Sequence, residues 1–323
     1  ISILITTDKM RFKEYLLALV VVFSAMSHLS NSIVLLGIML LTFFSLLFRL
    51  VDKKVFFRIF LMALIPIICT LTLNKIYSGK AQLSRASNVF IVARMIEIGG
   101  VTEFLKENCE NNNYALCNRI DDIPDLAYQF IWNGESPLYD QECNAVKWSY
   151  CWEEKNEAFG ELILDIIKIS KYRNQILATC AQDFFQQNSD FGIGKLDPQR
   201  EGTPAFSWIE LKFNHELHSY ENAKQFENTL EFKTMSSIQA FVIVISLIVI
   251  TLLLFFYKKM KLKKNHILLI TTLFAGILSN ALTVVSFSTV LDRYQSRIIW
   301  IIPLIAIVLI YRYIILAKKR SYE

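Results

Sequence analysis

"SIQAFVIVISLIVITLLLFFY", Ser237 to Tyr257, runs without a single charged residue. A helix needs about 20 predominantly apolar residues to cross the hydrocarbon core of a bilayer, so this stretch reads as a membrane span. Working outward, two more uncharged runs follow, Ile267 to Leu291 and Ile298 to Tyr311. The last reaches full length by including "YRYIIL", where Arg312 and the tyrosines can snorkel to the interface. On the N-terminal side, Tyr15 to Phe48 is too long for one crossing and carries the polar interruption "SHLSNS", which predicts a tight hairpin of two short helices. Phe56 to Leu73 is a further crossing, with Pro66 tolerated inside it. With 54% apolar residues over 323 positions, the composition agrees with a polytopic membrane protein.

The charges are sorted along the chain. Residues 75–236 hold 24 of the 29 acidic residues and 16 of the 34 basic ones; the remainder holds 5 acidic and 18 basic. Lys9, Arg11 and Lys13 precede the first crossing, and Arg49, Lys53, Lys54 and Arg58 fill the next turn on that side. Lys258, Lys259, Lys261, Lys263 and Lys264 follow the fourth crossing, and Arg312, Lys318, Lys319 and Arg320 close the chain. Six crossings place all of these on one side, as the positive-inside rule requires of the cytoplasm. The expected architecture is therefore all-α, with three membrane helices in residues 1–74, an α-rich acidic domain in residues 75–236, and three more helices in residues 237–323. Both termini are then cytoplasmic and residues 75–236 periplasmic. Only Arg293 and Arg297 fall outside the rule, on the side of the acidic domain. The chain begins at Ile1 with a basic, cytoplasmic-looking segment that reads as the continuation of something longer.

Five of the six cysteines lie in the acidic domain. Cys109 with Cys117 and Cys143 with Cys151 are spaced for short disulfide loops in an oxidising compartment. A zinc site is the competing reading of these four, but they lack the C-x2-C knuckle. Cys180 is left over. Helical periods dominate the domain: "VFIVARMIEIGGVTEFLKENC" reads as two helices joined at Gly99-Gly100, and "NEAFGELILDIIKISKYRNQILATCAQDFFQQ" as one long amphipathic helix. The segment Asn111 to Trp152 reads as an irregular aromatic loop.

Several constellations carry possible chemistry. In "HELH", His215 and His218 sit three apart, but the pattern is not H-E-x-x-H, and two surface histidines are the plainer reading. "FGIGKLDP" has a lone G-x-G with neither strand nor helix context for a phosphate cradle, and reads as a turn. Asp121, Asp122 and Asp125 form an acidic loop without calcium-loop spacing. Arg94 and Glu97 share a helix face and can pair; an unpaired Arg94 would be a phosphate-contacting candidate. Arg293 and Arg297, one turn apart at the outer surface, match the fork geometry that holds a phosphate, and pairing with Asp292 and the acidic domain is the structural alternative. Ser279 and Asn280, inside the preceding span, would line a cavity beneath them or bond helix to helix. No cofactor motif and no catalytic base presents itself.

The C-terminal stretch "DRYQSRIIWIIPLIAIVLI" resembles the closing helices of bacterial GT-C type membrane glycosyltransferases, which use polyprenyl-phosphate sugars. That resemblance implies that Arg293, Tyr294 and Arg297 contact a lipid phosphate, and that an enzyme of this kind would be a polyprenyl-phosphate-dependent glycosyltransferase. The chain departs from the pattern where the first outer loop, "SHLSNS", has no carboxylate. "VARMIEIGGVTEFLKENC", "YALC" and "FIW" are similar to a family of bacterial polytopic inner-membrane proteins of unassigned function, which implies the same division of the chain and the same membrane.

Two functions follow as expectations. The first is a part in envelope glycan or lipid-linked sugar metabolism, with a polyprenyl-phosphate type substrate at the outer leaflet, in a groove joining the arginines to acidic residues of the domain. The second is a non-enzymatic docking or scaffold protein whose periplasmic domain offers a protein partner an exposed aromatic patch at Tyr128, Phe130 and Trp132. A transporter is disfavoured, since the expected spans hold no charge in their interiors, only Arg58 and Arg312 near their ends, and lack glycine-broken helix pairs. Nucleic acid is excluded as a partner because the basic residues are topological signals.

Overall fold

The computed structural model describes residues 11–321 except 111, 140–147, 194–197, 202, 257–261 and 263. The regular structure of these described residues is all helical, without strands. The first element, α1 (Phe12–Ser27), begins with Arg11 N–H donating to the Glu14 carboxylate at 2.8 Å, and ends at His28, whose extended backbone separates it from α2 (Leu29–Leu47). Asn31 and Ser32 reach back to the carbonyls of Ser24 and Ala25, which closes the expected hairpin. After a short turn, α3 (Lys53–Ser78) packs on both. Among the described residues, five helical runs are long and apolar enough to cross a membrane: α2, α3, α11 (Lys233–Phe255), α12 (Lys264–Phe287), and the run Asp292–Lys318 formed by α13 (Asp292–Ile299) with α14 (Ile301–Ser321). The remaining expected crossing, α1, has 16 residues. That is about 24 Å of helix, short of a core about 30 Å thick.

Helix α12 joins the membrane helices. It packs on α2, and Leu268 enters the cluster of Ile38, Val55, Ile59 and Met62 that holds α1 to α3 together. A Cβ at Gly37 of α2 would lie 2.7 Å from Ser279 Oγ of α12, so the small residue permits the close approach. On its other side, Ile270 and Ile277 of α12 pack with Ile243 and Ile250 of α11 and with Ile302, Ile305 and Leu309 of α14. The basic ends gather away from the acidic domain: Lys264 donates to the Arg49 carbonyl at 3.0 Å, and Arg312 donates to His266 at 3.1 Å.

Between α3 and α11 lies a helical unit with its own core. Gly99, with φ +90°, turns α4 (Ser87–Glu97) into α5 (Gly100–Asn108), as the glycine pair predicts. The long amphipathic pattern is two helices, α7 (Trp148–Lys168) and α8 (Ser170–Ser189), because Ile169 is extended (φ −82°, ψ 118°). The stretch expected to be irregular contains a 3-10 turn (Cys117–Asp122) and α6 (Ala127–Trp132). Helical spacing in α6 turns Ala127, Phe130 and Ile131 inward and leaves Tyr128 and Trp132 partly outside. Phe130 is fully buried, which corrects the expected aromatic patch at its centre. Phe90 and Trp132 both meet Trp152 edge-to-face, and Asn88 bonds Asn156 twice to fix α4 on α7. The remaining helices, α9 (Pro204–Lys212) and α10 (Asn214–Glu221), pack on each other.

Cys109 and Cys117 form a disulfide across a sequence separation of 8. Cys151 is also disulfide-bonded; Cys143, its expected partner, lies outside the described residues. Closing the Cys109–Cys117 loop removes unfolded-state entropy worth about 2.5 kcal/mol. Cys109→Ala/Cys117→Ala is expected to lower the denaturation midpoint of this unit accordingly, and an unchanged midpoint would contradict that.

Acid should loosen the same unit. Hydrogen bonds from Lys171 and Tyr172 hold the Glu107 carboxyl below its ordinary 4.5, and those from Lys168 and Tyr114 hold Asp165 below 3.8. Carboxylates depressed in the folded state stabilise it fully above their unfolded pKa, and that stability is lost as pH falls through the folded values. The urea midpoint is therefore expected to fall as pH drops below the ordinary carboxyl values of 4.5 and 3.8, and Glu107→Gln to flatten part of that fall. A midpoint level across that range would contradict the assignment.

Candidate functional site at Arg293 and Arg297

The candidate residues sit where the helical unit meets α12 and α13. After α12 ends, Ser288 N–H donates to the Val284 carbonyl, and Leu291 caps α13 in an extended conformation. The Gln187 side chain of α8 grips Leu291 from both sides, donating to its carbonyl at 3.0 Å and accepting from its N–H at 3.1 Å. Gln295, fully buried, accepts from Asn280 of α12 at 3.2 Å and donates to Asn188 of α8 at 3.3 Å. Asn280 also donates to the Tyr294 carbonyl. Of the two expectations for Asn280, the structure shows helix-to-helix bonding. These bonds fix the rotation of α13: Gln295 points in, and Arg293 and Arg297 point out.

Both arginines are exposed, and both guanidinium groups lie against Tyr294, at 5.3 Å and 5.6 Å from its ring centroid. This cation–π contact aligns two charges on one ring without using all their donors. Among the described residues, no carboxylate lies within ion-pair distance of either guanidinium. Asp292, adjacent in sequence, faces elsewhere: a Cβ on Gly192 would stand 3.0 Å from Asp292 Oδ2 and 3.1 Å from Ser236 Oγ. Asp292 borders an open crevice of about 290 Å³ with Asp190, Lys233, Ser189, Ser236 and Ser237.

Arg94 has a different setting. It is 4% exposed, and its donors reach the Val285 carbonyl at 3.0 Å, Glu97 at 3.0 Å and Asp183. Glu97 in turn accepts from Thr289 at 3.0 Å. Arg94 is therefore paired, as its shared face with Glu97 allows, and it ties α4, α8 and α12 together. Cys180, a free thiol in this junction, donates to the Val285 carbonyl; burial pushes its pKa up, while Arg94 pulls the other way.

The other candidates are dispersed. His215 is exposed beside Glu216, and His218 lies within bonding distance of Asn222. Asp122 pairs with Arg119, and Gly194 to Asp197 lie outside the described residues. Among the described residues, no three His, Cys, Asp or Glu gather as a metal site. Asp183, Gln187 and Gln295, which position the site, were missed in the sequence. The i,i+4 spacing of Asp183 and Gln187 on the face that carries Ile176 and Cys180 was the available signal. Compared with known protein families, curated proteins and solved structures, the chain matches none.

Proposed function

We propose that the chain is a multi-pass protein of the bacterial inner membrane that holds the phosphate of a polyprenyl-phosphate type lipid between Arg293 and Arg297 at the outer leaflet. In this reading α1 completes a 3+3 arrangement, residues 75–236 are periplasmic, and the protein acts in envelope glycan or lipid-linked sugar metabolism. The observation that carries it is the pair of exposed guanidinium groups aligned on Tyr294 with no carboxylate in range among the described residues. A lipid phosphate supplies the missing anion, and Arg is the side chain whose planar fork suits it. The gathering of Arg49, Lys264 and Arg312 at the opposite ends of the helices supports the sidedness. The crevice beyond Asp292, lined by serines, carboxylates and Lys233, suits a hydroxyl-rich head group on that phosphate. The docking alternative is left with Tyr128 and Trp132, since Phe130 is in the core.

The test is mass spectrometry of lipids that co-purify with the detergent-extracted protein and with an Arg293→Ala/Arg297→Ala variant. A polyprenyl phosphate retained by the wild type and lost from the variant is expected. The same bulk phospholipids from both would overturn the proposal.

A further inference from the structure

Helix α8 divides its residues by direction. One flank carries Ile176, Cys180, Asp183 and Gln187, which face α4, α12 and the turn before α13. The flank about a quarter to a third of a turn away carries Leu177, Ala181, Phe184 and Phe185, spaced at i, i+4, i+7 and i+8. Leu177 is 61% exposed and Phe185 71%, with Phe184 edge-on to Phe185. Single exposed apolar residues are ordinary, but three exposed ones in one stripe on a helix end, with the half-buried Phe184 beside them, are not. Exposed charge stops where the stripe begins: Lys171 and Arg173 occupy the first turn, and the next charged residue, Asp183, is bound to Arg94.

The height of this stripe follows from α12. Lys264, which bonds Arg49, marks its basic end, and a rise of 1.5 Å per residue puts Val285 about 31 Å away. That matches the thickness of a hydrocarbon core, about 30 Å. Arg94 and Cys180 both bond the Val285 carbonyl, so the middle of α8 stands level with the outer edge of the core. Asn188 bonds Gln295, which bonds Asn280, about 7 Å deeper along α12. The C-terminal half of α8 therefore runs down to the depth of the last apolar turns of that span.

We propose that this flank of α8 is seated in the outer leaflet, with Ala181, Phe184 and Phe185 among the lipid acyl chains just below the head groups and Leu177 at the head-group boundary. The helical unit is then partly sunk in the membrane rather than standing above it, and Arg173 extends from the first turn towards the phosphates. The inference rests on α12 crossing the membrane and is independent of what Arg293 and Arg297 bind.

The test places a nitroxide at Phe185→Cys, and separately at Leu177→Cys, in a Cys69→Ser/Cys180→Ser background. The protein is reconstituted into phosphatidylethanolamine–phosphatidylglycerol nanodiscs, and collision with oxygen is compared with collision with a water-soluble nickel chelate. Leu282→Cys, exposed on α12, and Glu161→Cys, exposed on α7, serve as lipid and water references. Oxygen is expected to exceed the chelate several-fold at 185, as at 282, and by a smaller ratio at 177, with the reverse at 161. Chelate access at 177 and 185 would overturn the proposal in favour of a water-facing flank. Exclusion of both reagents would overturn it in favour of a protein cover, either a second copy or a partner. Chelate access at 282 would show instead that α12 does not cross the membrane.

Discussion

Arg94→Met is expected to be the most damaging single substitution in the chain. The guanidinium holds Glu97, Asp183 and the Val285 carbonyl at once, and the side chains of both carboxylates are themselves less than 20% exposed. Removing the cation leaves two carboxylates without their shared partner and, among the described residues, only Thr289 as a donor to one of them. Breaking a buried pair in this way costs about 3–5 kcal/mol, because the partner charge stays desolvated. For a unit of this size that is a drop on the order of 10 °C in the thermal midpoint. Methionine is chosen because it fills much of the same volume, so the loss reports charge rather than packing. Adding Glu97→Gln and Asp183→Asn to Arg94→Met should return part of the stability. A midpoint within about 2 °C of wild type for Arg94→Met would show that the junction does not hold the unit to α12.

The second large effect concerns the ligand. Arg293→Ala/Arg297→Ala removes two charge-assisted contacts to the proposed phosphate, each worth about 1.5 kcal/mol or more. Affinity for a polyprenyl phosphate is expected to fall on the order of a hundredfold, with little change in the thermal midpoint, because both side chains are exposed and, among the described residues, bond no other helix. Lysine at the two positions should recover only part of the loss, since an ammonium keeps the charge but not the fork. A variant that binds as tightly as wild type would remove the arginines from the site. A variant that unfolds would instead assign them to the fold, and the Tyr294 stacking would be their function.

Local rules explain which elements could be read from the sequence. Uncharged runs of span length gave α11 and α12 because hydrophobic length is a property of the segment itself. Gly99 marked the α4–α5 turn because its positive φ suits glycine, and "SHLSNS" marked the first reversal through its own backbone-bonding side chains. Elements decided by tertiary contact were not legible. Ile169 is a good helix residue by composition, yet the backbone extends there so that α8 can turn onto α12. Phe130 looked like part of a surface patch until the rotation of α6 against α4 and α7 placed it inside.

The candidate site divides in the same way. The i,i+4 spacing of Arg293 and Arg297 was visible, and their common contact with Tyr294 follows from that spacing on a helix. Arg94 could be matched with Glu97, three residues on, but not with Asp183, 89 residues away, or with a carbonyl on α12. The glutamines that orient α13 carry no charge and no motif, and their role exists only once three helices have met.

The most direct measurement is photocrosslinking in reconstituted membranes with a photoreactive polyprenyl phosphate, and in parallel with the neutral polyprenol bearing the same photoreactive group. The account predicts that the phosphate probe labels the peptide containing Leu291 to Trp300 in the wild type, that the alcohol does not, and that Arg293→Ala/Arg297→Ala abolishes the labelling. Equal labelling of that peptide by the two probes, or labelling by the phosphate that survives loss of both arginines, would contradict a phosphate held by Arg293 and Arg297.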